Sequence, residues 1–126
     1  MHVTFDDHTV AKIKENWKDG DRLLLTFEDG VGPYSQHAMI HMQVQFSINI
    51  IGPDMSLDTY DDTIDSNLGK IYVKGYSKDS LDENMTVKFK PTYSTMELSG
   101  DIGSIDDNVG FIDFTDPESI KENPAR

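Results

Sequence analysis

The chain has 126 residues, with 23 acidic side chains against 11 basic ones and a net charge of −12. That sign repels a phosphate backbone and an anionic bilayer, so neither nucleic acid nor membrane is expected as a partner. Cysteine is absent, which excludes disulfides, thiolate catalysis, zinc–thiolate sites and cysteine-held iron–sulfur clusters.

The N-terminal MHVTFDDHTV has neither a basic region nor an apolar stretch, so no signal peptide is read there, and no apolar run approaches the roughly 20 residues that cross a bilayer. A cytoplasmic chain is expected. Val3 and Phe5 form a short strand of period two. A helix follows, capped by Asp6 or Asp7, with Val10, Ile13 and Trp17 at i, i+3 and i+7, and Gly20 ends it. Leu23, Leu25 and Phe27 then share one strand face, with Arg22, Thr26 and Glu28 on the other. The turn residues 28–33 (EDGVGP) break the pattern.

The strongest signal comes next. Ala38, Ile40, Met42, Val44, Phe46, Ile48 and Ile50 alternate with Met39, His41, Gln43, Gln45, Ser47 and Asn49. This reads as a half-buried strand, or two joined at a bend, closed by Gly52-Pro53-Asp54. Residues 57–65 make a weak strand, a candidate for a sheet edge, and 70–74 (KIYVK) a clean one. Ser77 to Asn84 is a loop or a single helical turn. Met85–Lys90, Tyr93–Leu98 and Val109–Phe114 complete the strands. One domain over residues 1–114 is expected. Residues 115–126, with two prolines, five charges and a lone Ile120, are read as a mobile tail. The expected core is Val10, Ile13, Trp17, Leu23, Leu25, Phe27, Ile40, Met42, Val44, Phe46, Ile48, Ile71, Val73, Val87 and Phe89. The fold class is α+β: mainly antiparallel strands in a small twisted sandwich or distorted barrel, with one N-terminal helix.

Chemistry-bearing motifs are sparse. His37 and His41 are the only metal candidates, and weak ones. On a strand they point the same way but stand about 13 Å apart, too far for one ion. The groups Asp61, Asp62, Asp65, Asn67 and Asp101, Asp106, Asp107, Asn108 lack the spacing of a calcium loop and read as solvated turns. Ser77 and Ser104 lack a nucleophile frame, and Gly30-Val31-Gly32 lacks the third glycine of a dinucleotide loop. No catalytic residue and no cofactor is assigned. Five of the nine lysines (Lys70, Lys74, Lys78, Lys88 and Lys90) lie within residues 70–90. They read as an outward, edge-protecting face or as a basic patch for an acidic partner.

The run from the capped helix through KIYVKGYSKDSLDENMTVKFKPTYSTMELSG, roughly residues 1–114, resembles the iron–sulfur cluster biosynthesis (HesB-like, A-type carrier) domain family, in its small Firmicutes-type branch. The resemblance implies a compact, mainly β domain with an N-terminal helix. Carriers of that family hold iron or a cluster through one cysteine after an early glycine-rich turn and a Cys-x-Cys pair near the C-terminus. Here those places read DGVGPYSQH and NVGFIDFTDPESIKENPAR. Two functions are therefore expected as alternatives. One is a non-enzymatic relative of the assembly proteins that acts by protein contact; the other is a metal-binding or hydrolytic domain using His37, His41 and acidic residues. The uncharged strip from Met39 to Asn49 leaves two further alternatives: cover within a monomer, or contact in a weak homodimer.

Overall fold

A computed structural model describes residues 1–35 and 44–116. Its elements in chain order are β1 (His2–Phe5), α1 (Asp7–Asn16), β2 (Arg22–Phe27), β3 (Phe46–Ile51), β4 (Asp62–Ser66) and β5 (Gly69–Val73). A 3-10 helix follows (Gly75–Ser80), then β6 (Asn84–Lys90), β7 (Thr95–Ser99), β8 (Ser104–Asp106) and β9 (Gly110–Asp113). The strands form one sheet in the order β8-β7-β6-β1-β4-β5-β2-β3-β9. Among the described residues, β2/β3, β4/β5, β6/β7 and β7/β8 pair antiparallel, while β1/β4, β1/β6, β2/β5 and β3/β9 pair parallel. The longest registers are antiparallel, with six residues of β2 matched against β3. The sheet curls until its two ends meet: the Val109 amide donates to the Met96 carbonyl (2.9 Å), and the Phe46 amide to Asp106 Oδ2 (2.7 Å). The result is the expected α+β class with a distorted barrel, built on a mixed sheet.

The main core lies inside the curl. Val3, Phe5, Leu23, Leu25, Phe46, Ile48, Ile50, Ile71, Val73, Val87 and Leu98 fill it, with Ile13 of α1 against them. Each such side chain contributes roughly 1.5–3 kcal/mol when fully buried. Asp6 caps α1 and ties it to the sheet: Oδ1 accepts from the Thr9 amide (2.9 Å), Oδ2 from the Phe89 amide (2.7 Å). A second, smaller core of Leu24, Tyr34, Ile51 and Tyr60 lies on the other face of β2 and β3, under the loops that carry Tyr34 and Tyr60.

Several expectations are corrected. Trp17 is 40% exposed and not a core residue. It is the C-cap, with extended φ −82° and ψ 134°, so the helical period stops before it. Gly20, with φ +85°, lies in the turn beyond. Val10, Phe27, Val44 and Phe89 are only partly buried at the core's margin. β4 is no edge strand, since it lies between β1 and β5; its exposed residues simply give it a weak periodic signal. The seventh strand starts at Thr95, because residues 91–94 form a turn with Ser94 at φ +53°. β8 is too short and polar to be seen in the sequence. Of the long alternating segment, Phe46–Ile51 is strand, whereas Ala38, Met39, Ile40, His41, Met42 and Gln43, with His37, lie outside the described residues. The lysines make no single patch either. Lys70 pairs with Asp65 and Lys78 with Asp62 at the surface, but Lys74 has no exposed area.

Candidate functional site

The features that distinguish this chain from an ordinary packed sheet converge beneath the glycine turn after β2. β2 and β3 register Thr26 with Ser47 and Leu24 with Asn49. The alternate positions Thr26, Glu28, Ser47 and Asn49 therefore share a face, and all four are buried. In water this face would cost nothing. Buried, each polar atom needs a partner.

The partners form a chain. Thr26 Oγ1 donates to Asn49 Oδ1 (2.5 Å), Asn49 Nδ2 to Ser47 Oγ (3.2 Å), and Ser47 Oγ to Glu28 Oε1 (2.7 Å). Tyr60 Oη lies 2.9 Å from Thr26 Oγ1 at the far end. A carboxylate only accepts, so Glu28 sets the direction of every donor behind it. Burial raises the Tyr60 pKa far above its ordinary value, with the Thr26 hydrogen bond opposing and the Glu28 charge adding to the rise. The phenol thus stays protonated. Glu28 Oε2 also accepts from Ser35 Oγ (3.3 Å), whose oxygen takes the Gly30 amide (2.7 Å), binding both ends of the turn to the network.

A second group of contacts holds the turn from outside. Lys74 Nζ donates to Asp29 Oδ1 (2.8 Å) and to the Phe27 carbonyl (3.0 Å), and stands 5.9 Å from the Tyr60 ring centre. Tyr76 Oη donates to Asp29 Oδ2, and the Val31 amide to Asp29 Oδ1 (3.0 Å). Burial would raise the Asp29 pKa, but the hydrogen bonds from Lys74, Tyr76 and Val31 outweigh it and lower it. The Tyr76 phenol is pushed up to about 12 by burial and by the Asp29 carboxylate. Gly32, at φ +89°, lies so close to Thr59 that a Cβ there would stand 2.4 Å from Oγ1. Above this braced base, Val31 (47% exposed) and Tyr76 (51% exposed) present apolar surface.

Chemically the site is a brace. Both oxygens of Asp29 are engaged, and Glu28 takes two hydroxyls, so neither carboxylate stands ready as a general base. The donor set does not suit a thiolate-held iron or cluster. The sequence has no cysteine, and among the described residues no three histidines, aspartates or glutamates converge on a metal-sized point. The acidic groups read as turns stay dispersed: Asp61 takes the Gly75 amide, Asp62 pairs with Lys78, Asp65 with Lys70, and Asn67 bonds both main-chain groups of Phe5. Sequence reasoning placed Thr26 and Glu28 on a polar strand face and Lys74 on an exposed one. The uncharged run Gln45, Ser47, Asn49 was the available sign that this face is covered.

No helix among the described residues is long and apolar enough to cross a membrane. No curated protein matches the chain. Among solved structures, a candidate Fe–S biosynthesis protein from Lactobacillus salivarius is similar at 33% identity and a TM-score of 0.79, over 90% of this chain and 98% of the other. A second, from Lactobacillus acidophilus, is similar at 26% identity and a TM-score of 0.67, over 97% and 96% of the respective chains. Residues 1–113 match the family described as iron–sulphur cluster biosynthesis, and with the helix, the curled sheet and the order of strands around the glycine turn, the chain belongs to that family.

Proposed function

We propose that this chain serves iron–sulfur cluster biosynthesis by protein contact, without ligating iron or a cluster and without catalysing a reaction. The observation that carries this reading is the braced glycine turn. The family resemblance places a cluster-binding cysteine just after this turn; here the turn is entered by Glu28 and Asp29, which are tied to Lys74, Tyr76, Ser35 and Ser47. A rigid base under the exposed Val31 and Tyr76 suits a docking surface, because little conformational entropy remains to be lost on binding. The charged, acidic composition supports a cytoplasmic setting.

Two measurements test this together. Protein purified without oxygen from iron-supplied cells is assayed for iron, zinc and acid-labile sulfide, with none expected in stoichiometric amount. Stoichiometric metal that disappears in His41→Ala overturns the proposal in favour of a metal site at His37 and His41. In a strain lacking the chain, activity of cluster-dependent enzymes is expected to fall. Tyr93→Ala, a change distant from the turn, should restore it; Val31→Asp, folded by circular dichroism, should not. Full rescue by Val31→Asp removes the turn as the contact surface.

A further inference from the structure

The seam where the sheet closes leaves a cleft that the braced turn does not involve. β8 pairs with β7 only at Leu98 and Ser99, with a register shift between them. Ahead of that pairing, β7 meets residues 108–111 through the hydrogen bond from the Val109 amide to the Met96 carbonyl. The first half of α1 lies over the gap. The cleft beneath it has a volume of about 270 Å³, and His8, Lys12, Thr95, Asn108 and Gly110 line it above an apolar floor of Phe89, Met96, Val109 and Phe111.

Its two basic side chains each lie against an aromatic ring. The His8 imidazole stacks on Phe89 at 3.8 Å between centroids and 15° between planes. Lys12 Nζ stands 5.0 Å over the centre of Phe111. Lys18, Lys70, Lys74, Lys78 and Lys90 each have a carboxylate within 4.0 Å, whereas among the described residues Lys12, like Lys14 and Lys88, has none, and of these three only Lys12 lines this cleft. The carboxylate of Asp6, at the N-cap six residues before Lys12, accepts from the Thr9 and Phe89 amides. An aromatic face holds an ammonium without neutralising it. The Lys12 ammonium thus stands at the cleft without a carboxylate across from it among the described residues.

We infer that this cleft binds a small ligand with a planar apolar body and an anionic head, a carboxylate or phosphate. Lys12 and His8 hold the head, and Phe111 and Met96 support the body. The hydroxyl of Thr95 also lines the cleft and can orient the ligand. The volume suits one ring and its substituent rather than a dinucleotide. The inference is independent of the docking reading, since Val31 and Tyr76 do not line this cleft.

Three probes separate the two parts of the site: phenyl phosphate, inorganic phosphate and benzyl alcohol, each titrated into the full chain and followed by amide NMR shifts. Phenyl phosphate is expected to move Thr95, Val109, Gly110 and Phe111 saturably, at least tenfold more tightly than either fragment. Lys12→Gln should weaken it tenfold or more. Lys14→Gln, a lysine outside the cleft, should leave it unchanged. The inference is overturned if phenyl phosphate gives no saturable shift at these residues, if inorganic phosphate binds as tightly, or if Lys12→Gln binds like the wild type.

Discussion

At Lys74 a strand that alternates toward water ends on an ammonium with no exposed surface. Its partners are the Asp29 carboxylate and the Phe27 carbonyl, both on the segment leaving β2, so one side chain fixes where the glycine turn begins. Removing one partner of such a pair strands the other in a poorly solvated place. Lys74→Met is therefore expected to cost about 3 kcal/mol, read from the urea midpoint at unchanged slope. The double variant Lys74→Met, Asp29→Asn should cost less than the sum of the two single changes, because the charge left behind is gone. A double variant that is fully additive would show that the two groups do not interact. Gly32→Ala tests the other side of the turn. A left-handed backbone and a Cβ contact of 2.4 Å with Thr59 Oγ1 combine there, and a loss of roughly 1–3 kcal/mol is expected.

At the level of elements, α1 depends on a cap that also serves the sheet. Burial raises the Asp6 pKa, but the bonds from Thr9 and from the Phe89 amide outweigh it and lower the value. A carboxylate with a lowered folded pKa stabilises fully above its unfolded value, and that contribution is lost as the pH falls through the folded value. Asp6 and Asp29 share this sign, so stability should hold from neutral pH to about 4 and fall below it. Asp6→Ala is expected to lose about 1–2 kcal/mol at neutral pH and to show a shallower acid limb than the wild type in denaturant melts. An unchanged acid limb would remove Asp6 from the account. The elements also show why β1, four residues long, holds a central position: it pairs in parallel with β6 and β4, and the Asn67 side chain continues the second pairing past the end of β4 by bonding the Phe5 amide and carbonyl.

For the whole molecule, 23 acids on 126 residues repel one another. Among the described residues most ion pairs have at least one exposed partner, and an exposed pair such as Lys70 with Asp65 is worth little. Raising ionic strength from about 0.01 to 0.15 M shortens the screening length from about 30 to 8 Å. The expected result is a higher Tm, since the net repulsion outweighs the pairs that are weakened; a Tm that falls would give the opposite ranking. Ser47 and Asn49, part of the uncharged strip, are buried within the chain itself. Sedimentation is accordingly expected to find a monomer at micromolar concentration, and a dimer abolished by Gln43→Lys would show that the strip also serves between chains.

The sequence by itself determined the local facts: the capped helix, most of the strands and their inward residues, the family likeness and the lack of any thiolate ligand. These are legible because side-chain periodicity and capping depend on residues within a few positions of one another. Only the tertiary structure decided which strands are neighbours, that β4 is central, and that the second face of β2 and β3 is covered. A polar alternation looks the same whether water or the loops bearing Tyr34 and Tyr60 lie over it, so Lys74 and Thr26 read as exposed until the turn folds back on them. The cleft under α1 depends on where the two ends of the sheet meet, through contacts such as that of Phe46 with Asp106, which are far apart in the chain, and no local pattern encodes it.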